Sequence, residues 1–341
     1  MTLMMRMGFL GACAIAGPVG AQSPSTSVTV FGHIDTNVTS ASAGGSSKIG
    51  MDQGGYMLPS RIGIRGTEGL GNGNSVGFWL EAPILPNSGG PQGLTWSRRS
   101  TVSLINERYG ELRLGRDYTA AFWNVSSFSP FGTVGVGGSS NIIKGWPLGL
   151  DDAKTLSRAS NMVAYFLPKN LGGVYGHINY ARDEDKSGAG YAGGRVGFQA
   201  GPVNIAVAYG NTSIGRDDYE TATLGGTYDF GVVKLFANYL RQSVKAERQH
   251  VALAGALIPA GKGQVKLSYS RSAQTGASDG DNAQQFALGY VHPLSKRTVL
   301  YTAMSFIKND GNAAFVTGDV APEGVPGENA RGFQVGISHS F

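Results

Sequence analysis

From Ser27 onward the chain reads as short stretches in which apolar and polar residues alternate, separated by turns rich in Gly, Pro, Asn and Asp. A period of two marks a strand with one apolar and one polar face. The clearest stretch is 264–271, where Val265, Leu267 and Tyr269 alternate with Gln264, Lys266, Ser268 and Ser270. In 203–210, Val203, Ile205, Val207 and Tyr209 share one face, and Asn204, Ala206 and Ala208 the other. In 75–81, Val76, Phe78 and Leu80 oppose Ser75, Gly77 and Glu81, with Trp79 on the polar side. Near the end, Phe333, Val335, Ile337 and Phe341 share a face.

Taken in order, the pattern predicts strands over 27–38, 56–65, 75–81, 99–104, 111–115, 158–167, 174–182, 191–200, 203–210, 221–228, 232–241, 250–257, 264–271, 285–291, 298–307 and the C-terminal segment. The total is about sixteen, an even number within the range of outer-membrane barrels. Residues 39–55 read as a Gly/Ser-rich loop, 66–73 as a glycine-rich turn and 310–328 as a long acidic loop. Short turns alternate strictly with longer loops, which follows if both termini lie on the short-turn side. Residues 117–157 form the longest interval without alternation. A structureless stretch of that length is normally functional, and here it is expected to fold back into a barrel lumen and narrow a water-filled pore.

Composition fits this picture. Mean hydropathy is −0.10, which on its own resembles a soluble protein. A barrel strand is only half apolar, so its hydropathy averages out. In hydrocarbon every backbone N–H and C=O needs a partner, which forbids an open sheet edge and requires closure. Tyr209, Tyr228, Tyr239, Tyr269, Tyr290 and Phe341 fall near strand ends, where an aromatic girdle is expected. Residues 1–21 read as a secretory signal, with Arg6 before a short apolar core and Val19-Gly20-Ala21 before cleavage at Gln22. Leu10 to Cys13 resembles a lipoprotein box, but too few apolar residues separate Arg6 from Cys13. Cys13 is the only cysteine and leaves with the signal, so disulfides, cysteine zinc sites and cysteine nucleophiles are excluded. Loss of Arg6 lowers the formal net charge from +5 to +4. This mild, scattered excess gives no reason to expect nucleic acid as a partner.

Several stretches resemble the Gram-negative general porins of beta-proteobacterial type. Residues 27–35 (SVTVFGHID) are similar to the family's opening strand, and 60–71 (SRIGIRGTEGLG) to its second strand and first turn. Arg113-Leu114-Gly115-Arg116 resembles the strand entering the constriction loop, and Asn161 to Tyr165 the strand leaving it. The ending, 332–341 (GFQVGISHSF), is like the family's assembly signal, a terminal Phe341. The resemblance implies an all-β, sixteen-stranded antiparallel transmembrane β-barrel with an inward-folded third loop. It implies a homotrimer in outer-membrane lipid and lipopolysaccharide, handled by the barrel assembly machinery, passing small hydrophilic solutes and ions without a cofactor.

Strand phase selects candidate lining residues. Arg61 and Arg65 oppose Ile62 and Ile64; Arg99 and Arg113 are out of phase with neighbouring leucines; Arg158 opposes Val163 and Tyr165. All are expected to face the lumen. The family's wall arginines correspond to Arg61, Arg98 and Arg158, while phase favours Arg99 over Arg98, so that choice stays open. Pairing with Glu81, Glu111 or Asp35 is the structural alternative for each. Where the family loop often has a carboxylate before Pro-Phe-Gly, this chain has Ser129. Asp117, Asp151 and Asp152 are the acids of the interval, offset in part by Lys144 and Lys154. An arginine wall facing an acid-poor loop predicts preference for anions.

Other classes fit less well. The five histidines are spread over different strands, and His33 with Asp35 is a lone pair rather than a triad. No metal-ligand cluster is apparent. A secreted sandwich or β-solenoid would lack the turn–loop asymmetry and the terminal Phe341. An adhesin or structural barrel needs no inward loop. A substrate-specific channel is closer in kind, with Phe122, Trp123 and Trp146 as possible guides or, more simply, loop-packing aromatics.

Overall fold

A computed structural model describes residues 26–90, 93–143, 156–182, 190–214 and 217–341. The expected signal, 1–21, and Lys144, Trp146, Asp151, Asp152 and Lys154 lie outside the described residues. The strands are β1 (Thr26–Ala43), β2 (Ser46–Asp52), β3 (Arg61–Gly71), β4 (Asn74–Pro83), β5 (Arg99–Asn106), β6 (Gly110–Tyr118), β7 (Arg158–Phe166), β8 (Val174–Ala181) and β9 (Tyr191–Ala200). They continue as β10 (Val203–Ile214), β11 (Asp217–Asp229), β12 (Lys234–Val244), β13 (Glu247–Ala260), β14 (Gly263–Thr275), β15 (Ala283–Pro293), β16 (Thr298–Asn309) and β17 (Ala330–Ser340). Sequence neighbours pair antiparallel around the sheet.

Closure is made at β1. One edge pairs with β17, from His33 opposite Ser340 to Ala43 opposite Ala330. The other edge takes β3 along Thr26 to His33 and β2 along Asn37 to Ala43. β2 and β3 therefore share one position end to end, and seventeen segments form a closed sixteen-stranded barrel. No helix among the described residues is long and apolar enough to cross a membrane.

The faces sort as alternation requires. On β14, Leu267 and Tyr269 are exposed on the outer surface while Lys266, Ser268 and Ser270 are buried on the inner one. On β17, Phe333, Val335 and Ile337 point outward and Gln334 and Ser338 inward. Tyr209, Tyr228, Tyr239 and Tyr269 are all outward and exposed, as a girdle at the lipid boundary requires.

Two boundaries differ from expectation. The loop expected over 39–55 is a hairpin: β1 runs on to Ala43 and β2 returns from Ser46, with Gly44 and Gly45 at positive φ in the turn. The strand expected from 56 begins at Arg61. Residues 53–60 instead leave the sheet, and Tyr56 donates its backbone N–H to the Asp35 Oδ2 (3.1 Å). The first difference has a plain physical reason. A hairpin that stands clear of hydrocarbon needs ladder hydrogen bonds but no apolar face, so Ser, Gly and Ala can build it without periodicity. β10–β11 and β12–β13 are likewise longer than their apolar alternation.

The C-terminus is pinned to the opening strand. Phe341 and Gly32 exchange backbone hydrogen bonds, each 3.1 Å. The Phe341 ring lies where a Cβ on Gly32 would project. Gly32→Leu is expected to displace that ring at a cost of about 1–3 kcal/mol, the usual penalty of overpacking. The folded form should then be lost at lower temperature in detergent gels, where folded and unfolded barrels migrate differently. An unchanged transition would contradict this role for the contact.

Candidate functional site

The described part of the long interval, 117–143, folds into the barrel as expected. Gly115 (φ 125°) breaks the register of β6 against β7, and its hydrogen lies against the Ser100 carbonyl oxygen, where any Cβ would collide. The chain turns inward at Tyr118. Thr119 accepts from the Phe122 N–H (3.3 Å) and caps a short helix, α1 (Ala120–Ser127). A 3-10 turn follows at Ser139–Ile142.

Neutral groups, with Arg195 as the charged exception, fix this segment to one side of the barrel. The Tyr191 hydroxyl on β9 accepts from the Ala120 N–H (3.1 Å), and Asn124 donates to the Ala206 carbonyl on β10 (2.9 Å). Arg195 Nε donates to the Asn124 Oδ1 (2.5 Å). Farther on, Gln334 accepts from the Val136 N–H (2.9 Å), and Gln249 and Gln285 donate to the carbonyls of Ile142 (3.0 Å) and Val136 (3.3 Å). Between these amides, Phe128 packs on Gly225, Pro130 on Gly255 and Phe131 on Gly289. Glycine at those inward positions of β11, β13 and β15 permits the close approach.

The arginines stand on the other side, on β3 to β7. Arg61 Nη1 and Arg98 Nε both donate to Glu81 Oε1 at 2.8 Å. Arg98 Nη2 and Arg158 Nη2 both donate to the Tyr118 hydroxyl, at 3.3 and 2.8 Å. The Arg158 guanidinium lies 4.4 Å from the Tyr118 ring centre. Three guanidiniums thus gather around one carboxylate and one phenol. A second group is balanced. Arg113 Nε and Nη2 grip both oxygens of Glu111 (2.8 and 3.0 Å), its Nη1 reaches Asp117 (2.5 Å), and Arg99 lies 3.7 Å from the same Asp117 oxygen. Trp79 is held between Arg65 and Arg99, at 5.1 and 4.5 Å.

Both members of the Arg98/Arg99 alternative turn inward, in different groups. Arg98 precedes β5 and escapes its phase, whereas Arg99 begins the strand opposite Glu81. Arg158 is another case where phase alone does not carry the result. Asn161, at positive φ, interrupts β7, and Tyr118 draws the side chain in. Ser129 is corrected: it is only 2% exposed, because Phe128 and Phe131 on either side of it press the segment against the wall. It presents no group to an aperture. Phe122 stacks on Tyr118 (5.0 Å) and Trp123 meets it edge-on (5.5 Å), so both pack the loop entrance.

Several tethering residues carry no motif. Asp35 accepts from the Tyr301 hydroxyl (2.6 Å), and Lys266 donates to the Tyr56 carbonyl (3.0 Å), which together hold 53–60 in the lumen. The acidic loop after β16 also turns inward: its Gly318 N–H reaches Asn141 (3.3 Å), and Thr317 packs on Gly332. The available signal was the run of inward amides and glycines on β12 to β17, which a search for charged or catalytic residues passes over. Among the described residues no cluster of histidine and carboxylate side chains is placed to hold a metal.

Residues 10–312 match a family described as Gram-negative porin. The chain is 37% identical to outer membrane porin protein 32 of Delftia acidovorans, across 97% of this chain and 98% of that protein. It is 30% identical to an outer membrane porin protein of Bordetella pertussis, across 89% and 95%. The solved structure of an anion-selective porin from Comamonas acidovorans has a TM-score of 0.85 at 37% identity, covering 93% of this chain and 100% of that one.

Gln334→Ala should loosen the inner segment, because it removes the partners of the Val136 N–H and the Gly55 carbonyl. Each buried group left unpaired costs about 1–3 kcal/mol. Hydrogen exchange at Val136 should accelerate by at least roughly fivefold. Unaltered exchange would show that the amide is not a tether.

Proposed function

The chain belongs to the Gram-negative porin family, and on that premise we propose that its arginine wall and neutral inner loop frame a diffusion pore that prefers anions. It is an outer-membrane channel and not an enzyme. Small hydrophilic solutes and ions pass through its water-filled lumen by passive diffusion.

One observation carries the preference. Arg61 and Arg98 share a single carboxylate, Glu81, and Arg158 beside them is bonded only to the neutral Tyr118 hydroxyl. From Tyr118 to Ile143 the facing loop contains no charged residue at all. Arginine stays protonated at any physiological pH. Fixed charge beside a low-dielectric wall raises the local concentration of the opposite ion, by roughly tenfold or more. The passage between wall and loop therefore holds a positive potential. Arg99 and Arg113 add little to it, since Asp117 and Glu111 neutralise them. Arg65, stacked on Phe31 and Trp79, adds a further charge on the same wall, with no carboxylate in ion-pair distance among the described residues. The anion-selective porin with which the structure aligns supports the same reading.

Family membership supports the remaining assignments, which we propose with it. Residues 1–21 act as the cleaved signal, 22–341 form the barrel domain, and 117–157 is the constriction loop. Phe341 is the signal read by the barrel assembly machinery. The chain assembles as a homotrimer among outer-membrane lipids, including lipopolysaccharide.

Planar-bilayer recording tests the proposal. In a KCl gradient the zero-current potential should carry the sign set by chloride. Replacing Arg61, Arg98 and Arg158 together by Gln should lower the anion-to-cation permeability ratio by roughly tenfold, the low end of electrostatic focusing. Glu81→Gln should raise it. Cation preference in the unmodified protein would overturn the reading.

A further inference from the structure

Below the inner loop, the lumen wall carries a row of side chains that the arginine cluster around Glu81 does not use. Glu111 on β6 lies opposite Phe166 on β7, Phe166 opposite His177 on β8, and His177 opposite Arg195 on β9. The four therefore stand at one level, and alternation turns all four into the barrel. The short turns between β5 and β6 and between β7 and β8 follow close by, which puts the row at the periplasmic end. With Trp123 of α1 and Tyr175 of β8, the row lines a cavity of about 460 Å³. That volume falls in the range of small-molecule sites.

The lining chemistry narrows what fits. The Phe166 and His177 rings are stacked, with centres 4.6 Å apart and planes 27° apart, and offer an aromatic wall. The Glu111 charge is neutralised, because Arg113 grips both of its oxygens. Glu107 and Lys169, at the rim, are of opposite sign. The Arg195 charge has no such partner. Its Nε donates to Asn124 and its Nη2 to the Tyr175 hydroxyl (3.4 Å), its guanidinium lies 4.9 Å from the Tyr175 ring centre, and no carboxylate is within ion-pair distance among the described residues. Two further groups of the lining, Trp123 Nε1 and His177 Nε2, are buried with no hydrogen-bond partner among the described residues. An indole N–H can only donate, so an acceptor is what Trp123 calls for. An anionic acceptor also answers Arg195, and a flat ring answers the aromatic wall.

We propose that this cavity binds a single-ring aromatic carboxylate on the periplasmic side of the constriction, with the ring against Phe166 and His177 and the carboxylate between Arg195 and the Trp123 N–H. The proposal deepens the reading of the lumen as an anion path, on which it rests for the solute's route to the site. It gives the pore a preferred class of solute, where an arginine wall alone treats anions of equal size and charge alike.

Calorimetric titration of the detergent-purified full-length protein with benzoate tests it. Benzoate should bind saturably. Cyclohexanecarboxylate has the same charge and a similar size but no π face, and should bind roughly fivefold more weakly. Arg195→Gln should weaken benzoate binding by roughly tenfold or more, the loss of one charge-assisted hydrogen bond. Trp123→Phe keeps an aromatic ring beside Tyr118 and removes only the indole N–H, and should cost roughly fivefold. This second variant carries the test if Arg195→Gln disturbs the inner loop through Asn124. Absence of saturable binding, equal affinity for the two acids, or undiminished benzoate affinity in Trp123→Phe would overturn the proposal. The zero-current potential in a KCl gradient without benzoate reports on the pore separately. Anion preference without benzoate affinity would sink this inference alone, and benzoate binding by a cation-preferring pore would sink only the other.

Discussion

Everything in this protein depends on the double use of β1. A sheet in lipid may leave no edge, because a backbone group without a partner there costs several kcal/mol. β1 satisfies the requirement by meeting β17 along one side and both β2 and β3 along the other. The break between β2 and β3 is what frees residues 53–60 to enter the lumen. Closure and the furnishing of the interior are thus the same event.

The interior is then divided by chemistry. One arc, β3 to β7, is ionic: Arg61 and Arg98 share a Glu81 oxygen, and Tyr118 joins them to Arg158. The other arc holds the inner loop with amides, a phenol and glycine-backed aromatics. The separation keeps charge on the immobile wall. Guanidiniums anchored at the wall by Glu81 and Tyr118 give a fixed field, whereas charges on a loop would move with it. Selectivity and constriction are in this way assigned to different residues.

The spanning parts of the strands were legible because lipid imposes a strict period of two, as in 264–271. The stretch from Ser40 to Asp52 was not, since beyond the hydrocarbon a ladder needs no apolar face. Arg61, Arg65, Arg99 and Arg113 could be placed from phase. Phase also pointed Arg158 inward, although Asn161 interrupts β7 between it and the residues the phase was read from, and phase passed over Arg98, which precedes its strand. Ser129 was misplaced for a related reason: position relative to Pro-Phe-Gly says nothing of which way a loop residue turns. Nothing in the alternation singles out Gln249, Gln285 and Gln334. Their partners are backbone atoms more than a hundred residues away, and no local pattern reports such a bond.

The attachment of the inner loop has an ecological side. Most of its tethers are carboxamides, a phenol and ring-on-glycine contacts, with Arg195 the charged exception. Amides have no proton to gain or lose in natural waters, and dissolved electrolyte has no ion pair there to weaken. A bacterium moved from fresh water to brine, or into acid soil, would keep the same bore in this channel.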